Sequence, residues 1–496
     1  MLKGFDIRDE EWAATPQSVK TAVLILEQQL RLFRIRFTAY EQKITALEEK
    51  AVEVESLRTE VAALRERLGQ NSRNSSLPPS SDPPQQQGHV QRKRSRKRRG
   101  GQPGHRGHRR QLKPVDEVDH FVDLRPDTCR QCGRRLKGSD PHPSRHQVAE
   151  IPPARAEVTE YRRHTLCCLH CGTATQAAWG EVTGSSFGPR AQAVVAYLTG
   201  RLSLSQRDTV EAMQTLHGVE LSLGSVSALQ RQVSAALAAP VETARQYVRQ
   251  QWTNYVDETG WKEQARQCWL WLNSTRLVTA FQISRRRDQR TARQVIGRVK
   301  TSIITTDRHN VYSWLGNERR QLCWAHLKRD FQAVAERGGE SQRIGRGLLR
   351  CTKEVFDLWH QSKVEVLGRV EWQEKMQRVS GRVKRWLERG GECGQRKTRG
   401  LCRRLLALER ALWTFVRVEG VEPTNNQAER GLRRAVLWRR KSFGTQSREG
   451  SRFVERVLTA VTSLRQQGRD VLEYLTALCQ PQGNNERPIC LLPDTS

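Results

Sequence analysis

Three carboxylates lie where predicted strands or loops meet the next element. They are Asp257 in YVDETGW, Asp307 in IITTDRHN and Glu429 in TNNQAERGLRR. Acids at such junctions can hold divalent metal ions that activate water against a phosphodiester. The chain has 85 Lys and Arg residues against 53 Asp and Glu residues, a formal net charge of +32. That balance favours a polyanionic partner, and with the acids it predicts an enzyme that acts on nucleic acid.

Length and composition limit the classes of protein that fit. A chain of 496 residues with 36% hydrophobic content predicts two to four structural units. Membrane-surface binding also suits a basic protein, but no apolar run approaches the ~18 residues of a spanning helix. The N-terminus has no signal sequence, so we expect a cytoplasmic protein. No Gly-rich phosphate loop is present, so no nucleotide cofactor is expected.

A β-rich segment after Trp252 must position the first two acids. Its strand-like stretches WTNYVD, CWLWLN and LVTAFQIS precede a helix-like stretch, DQRTARQVIGRV, and the strand TSIITTD. Three strands, a helix and a fourth strand describe the start of a ribonuclease-H-like sheet. In this arrangement Asp257 lies at the end of the first strand and Asp307 just after the fourth. The two acids can then approach one metal site.

The third acid lies beyond an Arg- and Lys-rich segment with a helical pattern. This segment, 331–420, is predicted to be a helical insertion in a catalytic domain formed by 250–330 and 421–467. A helix then begins with Asn426 as its N-cap, and Glu429 three residues later also fits a capping box with no catalytic role. Cations on this helix would position the DNA backbone: Arg430, Arg433, Arg434, Arg439, Arg440 and Lys441.

Two CxxC-Gly motifs predict a zinc-ribbon domain over 116–180. Four thiolates would complete a closed, structural Zn²⁺ site: Cys129, Cys132, Cys168 and Cys171. The stretch HQVAEIPPARAEVTEYRRHTL between the motifs alternates like short strands. Cys167 could replace Cys168, and the other substitute ligands are His142, His146, His164 and His170. The alternative to zinc is a set of buried or redox-active thiols.

Residues 70–115 are predicted to be a disordered basic linker. NSRNSSLPPSSDPPQQQG cannot bury a core. The next segment, 92–99, carries seven cations: Arg92, Lys93, Arg94, Arg96, Lys97, Arg98 and Arg99. Such a tract neutralises phosphates without reading bases, so DNA binding should depend steeply on salt. The alternative is a solvated tail or a localisation signal.

The N-terminal segment 17–69 is predicted to be a coiled coil. Apolar or small residues recur in steps of three and four from Val23 to Val54, and a stammer follows at Leu57. This seam favours self-association, with an intramolecular helical hairpin as the alternative. Residues 188–245 fit either a helix-turn-helix around His217-Gly218 or ordinary helical packing, and the tail 481–496 is expected to be disordered.

The order of these motifs resembles one protein family. VDETGW, then TTDRHNVYSWL with CWAHLKRDF, then TNNQAERGLRR, is similar to the DDE transposases of bacterial insertion sequences, specifically the insertion-sequence-sixty-six family (TnpC type). The likeness extends upstream to the helical zipper, the NSSLPPSSD linker, GGQPGHRGH and the paired CxxC motifs, so it covers most of the chain. NNxAER and CWAH are specific in combination, whereas a lone DET is not.

The resemblance implies a multidomain α/β protein: a coiled coil, a zinc ribbon, a helical DNA-binding region and a ribonuclease-H-like catalytic domain with an α-helical insertion. Asp257, Asp307 and Glu429 would be its catalytic triad and would bind two Mg²⁺ or Mn²⁺ ions. The enzyme would cleave DNA at transposon ends and join the freed 3′-hydroxyl to target DNA. The resemblance also implies accessory proteins encoded by the element and a bacterial protein associated with the nucleoid when bound to DNA.

The chain departs from the family pattern after the second Asp. The family commonly has Gly and an aromatic residue there, whereas Arg308-His309-Asn310 follow Asp307; Asp288 and Asp330 are poorer substitutes for this acid. His326 of CWAH would touch DNA or the active site, or be a hydrogen-bonded core histidine. Two other functions stay open: a DNA-binding regulator derived from an inactive transposase, and a metal-dependent nuclease without strand transfer.

Overall fold

The protein begins with a long exposed helix. The structure is a computed structural model that describes residues 8–75, 111–179, 185–364, 367–481 and 489–493. Helix α1 (Asp9–Ala14) precedes α2 (Gln17–Leu68), so the helix predicted over 17–69 is confirmed to within one residue. The apolar seam of α2 is exposed in the single chain: Leu30 is 57% and Phe37 54% accessible. Among the described residues nothing packs along this seam, so the intramolecular hairpin alternative is wrong there.

The cysteine-rich segment has little regular structure. Its strands β1 (Thr165–Cys167) and β2 (Ala174–Gln176) form a short antiparallel hairpin. The strands predicted between the CxxC motifs are absent from residues 147–164, and only the end of the predicted stretch, Thr165-Leu166, lies in a strand, β1. Within the described chain this stretch makes only isolated backbone hydrogen bonds to other segments, such as that from Ala156 to His217, and Val158 in it is 92% accessible. Alternation of side chains therefore did not suffice to form a sheet.

A group of helices follows. These helices are α3 (Pro189–Ala196), α4 (Gln206–His217), α5 (Leu223–Ala236) and α6 (Ala238–Gln250). Helix α4 ends at Gly218, which adopts a left-handed φ of 67°, so the predicted turn is confirmed. Met213 of α4 packs with Val226 and Leu229 of α5 in a small core. The helices thus have a packing role, and DNA recognition by them stays a prediction.

A mixed sheet of five strands forms the centre of the molecule. Its elements are β3 (Thr253–Glu263), β4 (Arg266–Ser274), β5 (Thr279–Ser284), α7 (Gln289–Ile296), β6 (Ile303–Thr306) and β7 (Arg320–Leu322). The strand order is β5-β4-β3-β6-β7, with β3, β4 and β5 antiparallel and β6 and β7 parallel to β3. The predicted three strands, helix and fourth strand are confirmed, and β7 was not predicted.

A helical unit with its own apolar core follows β7. Its helices are α8 (Trp324–Glu336), α9 (Gly339–Lys363), α10 (Arg369–Glu392), α11 (Arg396–Ala407), α12 (Glu409–Leu412) and α13 (Thr414–Arg417). Phe331, Leu348 and Met376 are buried together in this core. Residues 331–420, predicted to be a helical insertion, are mainly helical, and the first helix begins at Trp324 because the chain passes directly from β7 into α8.

Of the three C-terminal helices, the first two cover one face of the sheet and the third packs on α3 and on the second. They are α14 (Asn426–Ser442), α15 (Arg448–Gln466) and α16 (Val471–Cys479). Leu432 and Leu458 pack there with Leu272 of β4, while α7 covers the opposite face. The expectation of a disordered tail is wrong for residues 489–493, because apolar Leu491 is fully buried in the main core. No described helix is long and apolar enough to cross a membrane.

Candidate active site

Asp257 and Asp307 lie on neighbouring parallel strands. Tyr255 of β3 is the register partner of Thr305 of β6. Each aspartate lies two residues beyond this pair, so alternation directs both side chains to the same face of the sheet. Asp307 follows the last residue of β6, as predicted.

The predicted position of Asp257 needs a correction. It lies inside β3, which continues to Glu263, and not at the end of the strand. The parallel pairing with β6 stops at Tyr255, while the antiparallel pairing with β4 continues past Asp257 to Glu263. The pattern of β3 could not show this, because the hairpin to β4 extends the strand through polar residues.

Helix α14 brings Glu429 to the two aspartates. Its N-cap is Asn425, not Asn426, and this residue makes no side-chain capping bond. The Asn425 Nδ2 instead donates to the carbonyl oxygen of Val256 at 2.8 Å, which ties the start of the helix to the residue before Asp257. The capping-box alternative for Glu429 is therefore wrong.

Gly431 allows α14 to approach the sheet closely. A Cβ atom at this position would lie 2.6 Å from the Cδ1 atom of Leu272, and Leu272 is fully buried. A larger residue would push the first turns of α14, and with them Glu429, away from β3 and β4.

Asp307 and Glu429 lie close enough to Asp257 to repel its charge, although the donor atoms of these three acids do not form one group within 4.8 Å among the described residues. Burial, followed by repulsion from Glu258, Asp307 and Glu429, raises the pKa of Asp257 well above its ordinary value. Like charges at short range disfavour ionisation, and a bound dication would relieve that repulsion. The carboxylate donor set thus fits a hard divalent metal ion.

Glu258 is a further acid next to Asp257, on the opposite face of β3 by alternation, and sequence reasoning missed it. Its side chain is only 1% accessible and forms an ion pair with Arg287 at 2.7 Å. The hydroxyl of Tyr312 donates a hydrogen bond to the other carboxylate oxygen. Burial and then repulsion from Asp307 raise the pKa of Glu258. The available signal was the Glu of VDETGW, next to Asp257.

His326 and Arg329 of α8 approach Glu429. The His326 Nδ1 and the Glu429 Oε1 are 3.5 Å apart, and Arg329 Nη2 is 3.7 Å from the same oxygen. Among the described residues, neither the His326 Nδ1 nor the Glu429 Oε1 has a hydrogen-bond partner, although both atoms are buried. His326 and Glu429 form a group with Cys323. It is the one group of at least three closely spaced potential metal ligands in the described chain. CWAH therefore places His326 at the site.

Arg320 holds the backbone beneath Asp307, which the sequence did not indicate. This side chain on β7 is 2% accessible. Its Nη2 donates to the carbonyl oxygen of Asp307 at 2.7 Å, and its Nε donates to the Thr306 hydroxyl at 3.0 Å. Burial lowers the pKa of Arg320 to about 10, so the guanidinium stays charged at neutral pH.

The poorer substitutes for Asp307 have structural roles. Asp288 caps α7 by accepting the backbone N–H of Thr291 at 2.8 Å. Asp330 forms an ion pair with Arg308, whose Nη2 is 2.9 Å from its Oδ1. The residue that replaces the family glycine is thus turned towards Asp330, and Asp307 stays available to the site.

The predicted DNA-contacting arginines of α14 differ in their surroundings. Arg430 and Arg433 are exposed. Arg434 donates instead to the carbonyl oxygen of Arg201 at 2.5 Å, and burial lowers its pKa. Its predicted DNA contact is therefore a protein contact in this structure. The predicted tract 92–99 lies outside the described residues.

Each CxxC motif forms a tight turn. Gly133 donates to the carbonyl oxygen of Cys129 at 2.9 Å, and Gly172 donates to that of Cys168 at 2.8 Å. Both glycines have positive φ, 70° and 73°, as the predicted relief of each turn requires. The backbone N–H of Cys132 stabilises the thiolate of Cys129 and lowers its pKa.

The two motifs are not brought together into one four-sulfur cluster. No three of the four predicted thiols meet within the described chain, and none of the substitute histidines joins them. The second turn is built on Cys168, whose backbone N–H donates to Thr173, whereas Cys167 ends β1. Cys168 is thus the partner of Cys171 within this turn.

Comparisons with known proteins identify the family. A model described as "Transposase IS66 family" matches residues 184–452, and this range contains Asp257, Asp307 and Glu429. A second model, described as a family of unknown function (DUF6444), matches residues 24–111. A search of curated proteins found no match. The first match covers more than half of the 496 residues, and the chain therefore belongs to the IS66 transposase family.

Proposed function

We propose that this transposase is a metal-dependent DDE enzyme. It binds the terminal inverted repeats of a bacterial insertion sequence, cleaves the ends and joins them to target DNA. The observation that carries the proposal is that Asp307 at the end of β6 and Glu429 on α14 lie close enough to Asp257 of β3 to repel its charge. These elements are far apart in the chain, and the pKa of Asp257 responds to both other acids.

The sheet supports a ribonuclease-H-like fold for the catalytic domain. Numbered from its own first strand, the order β5-β4-β3-β6-β7 is 3-2-1-4-5, with three antiparallel strands followed by two parallel ones. Asp257 and Asp307 lie at the first and fourth strands of this order. The helical unit α8–α13 is then an insertion between the fifth strand and the helix that carries Glu429.

The acids would hold Mg²⁺ or Mn²⁺. When bound, the metal would supply a Lewis acid that activates water and stabilises the leaving oxygen of the phosphodiester. Arg320 fixes the backbone of Asp307, and Asn425 fixes the start of the helix that carries Glu429. His326 and Arg329 lie 3.5 and 3.7 Å from one oxygen of the Glu429 carboxylate without a hydrogen bond to it. The Arg320 and Asn425 contacts hold the backbone next to Asp307 and at the start of the Glu429 helix, because each joins two elements.

A transposition assay tests this proposal. Wild-type protein and the variants Asp257→Asn, Asp307→Asn and Glu429→Gln would be incubated with Mg²⁺, a labelled transposon end and a supercoiled target plasmid. We expect cleavage and joining to disappear in all three variants while end binding persists. Asp288→Asn is the matched control, since Asp288 caps α7 and should leave cleavage intact.

The same assay separates the other functions. Cut ends that never join the plasmid would identify a nuclease without strand transfer. Tight end binding with no Mg²⁺-dependent cleavage by the wild type would identify a regulator. Cleavage retained by Asp257→Asn would overturn the DDE assignment.

We further propose that the CxxC turns bind a structural Zn²⁺ ion. The support is the paired thiols within each turn and the lowered pKa values of Cys129 and Cys171, since metal ligation requires thiolates. Purified wild-type protein should contain one equivalent of zinc by elemental analysis. The variant Cys129→Ser/Cys132→Ser should lose it, whereas Cys167→Ser should retain it.

A further inference from the structure

A basic cleft lies between α8 and α11 of the helical insertion. Its volume is about 650 Å³, and six arginines and Lys397 line it against a single acid, Asp330. A concave surface lined by one sign of charge concentrates ligands of the opposite sign. This cleft is separate from the three acids, and no motif in the sequence marked it.

Most of the negative charge needed to balance these cations is absent. Asp330 neutralises Arg308, while Arg403 donates to the carbonyl oxygen of Gly391 at 2.9 Å, which adds no charge. Arg396 and Arg404 are exposed, and neither has an ion-pair partner in the described parts of the chain. The cleft therefore presents free guanidinium groups.

The cleft opens beside the candidate active site. Arg308, one of its lining residues, directly follows Asp307 in the chain. A polyanion bound along α11 would thus lead towards the acids. Duplex DNA carries about one negative charge per 1.7 Å of its axis, which suits a row of guanidinium groups on one helix.

We propose that this cleft binds the sugar–phosphate backbone of the DNA on which the transposase acts. The inference rests on the proposed function, because it places the bound strand next to the metal site. The contacts are to phosphates, so they position DNA without reading its sequence.

The end of the N-terminal helix competes for the same cations. The Glu66 Oε1 is 3.1 Å from Arg337 Nε, and the other oxygen of this carboxylate pairs with Lys397. Both cations line the cleft. The carboxylate occupies a position that a phosphate oxygen would take, so DNA bound in the cleft displaces Glu66 and with it the end of α2.

Equilibrium binding of a labelled random-sequence duplex, measured by fluorescence anisotropy over a range of KCl concentrations without Mg²⁺, tests the cleft. The variant Arg396→Gln/Arg404→Gln should bind more weakly and lower the slope of log K against log salt by about 1 per residue. Arg396→Lys/Arg404→Lys should restore the slope. Arg378→Gln/Arg385→Gln on α10 is the matched control, since it removes the same charge from exposed positions outside the cleft.

Substitution of Glu66 tests the competition. Glu66→Gln should tighten binding of the same duplex about two- to fivefold, the scale of one partly exposed ion pair, whereas Glu60→Gln on the same helix should not. Equal slopes for the cleft pair and the control pair would overturn the inference. Because no Mg²⁺ is present, this result is independent of whether the wild type cleaves DNA, so failure of the DDE proposal is distinguishable.

Discussion

At the scale of single residues, Asp257 is the clearest sign that the site is built for a cation. Its carboxylate is held among Glu258, Asp307 and Glu429, which together with burial raise its pKa. An acid whose pKa is raised in the folded state lowers the free energy of unfolding once the unfolded chain ionises. That cost is absent below the ordinary pKa of 3.8, grows between 3.8 and the raised pKa, and is constant above the raised pKa.

We therefore expect Asp257→Asn to raise the melting temperature at pH 7 in Mg²⁺-free buffer, since the variant removes the ionisation cost. The gain should shrink as the pH falls and disappear below pH 3.8. Differential scanning fluorimetry at several pH values measures it. Asp123→Asn, at an exposed position, should show no pH-dependent difference, and a gain independent of pH would contradict the electrostatic origin.

Arg320 should act on the metal site through Asp307. Arg320→Gln removes the donor to the Asp307 carbonyl oxygen and should lower Mg²⁺-dependent cleavage about 10- to 100-fold, the scale found for residues that orient metal ligands. The discriminating measurement is the Mg²⁺ concentration for half-maximal cleavage, which should rise. Arg298→Gln, at an exposed position, is the control. An unchanged Mg²⁺ dependence would mean that Arg320 only stabilises the fold.

At the scale of elements, the sequence predicted the features that depend on a local pattern and missed those that depend on contacts between distant segments. The period-two stretches around Asp257 and Asp307 predicted four strands, because alternation is a local property. The roles of Asn425 and Arg320 depend on partners from other elements, Val256 and Thr306. No local pattern contains such contacts, and for that reason the capping box was the wrong interpretation of Glu429.

Gly431 tests whether the seating of α14 positions Glu429. Gly431→Ala should lower stability by about 1–3 kcal/mol through overpacking against Leu272 and should reduce cleavage more than end binding. Gly431→Ala/Leu272→Ala should recover part of the cleavage, because the second change makes room for the new methyl group. Gly381→Ala in α10, where the nearest atom is 3.8 Å away, should not reduce either quantity. Loss of cleavage that Leu272→Ala cannot relieve would exclude the steric explanation.

At the scale of the whole molecule, the basic residues form more than one cationic surface. The helical insertion has its own core and carries a cationic cleft, while exposed Arg430 and Arg433 lie on the helix of Glu429. The sequence predicted the excess charge and marked 331–420 as rich in Arg and Lys, but it assigned DNA contacts only to 92–99 and α14. The cleft forms only when α8 and α11 pack together, so it could not be read from either segment alone.

The exposed apolar seam of α2 predicts self-association of the chain. Leu30 and Ile44 are 57% and 55% accessible in the single chain, and their steps of three and four fit a second copy of the same helix. Leu30→Asp/Ile44→Asp should weaken self-association of the full chain by at least about 100-fold, since an unpaired carboxylate in such a seam is costly. Light scattering coupled to size-exclusion chromatography measures the mass.

The control must add the same charge to the same helix outside the seam. Thr38→Asp/Thr45→Asp meets this condition, because each position follows a seam residue, Phe37 or Ile44, and faces away from the predicted partner. This variant should keep the mass of the wild type. A monomeric wild type, or equal dissociation of both variants, would show that the copies are not joined through this seam.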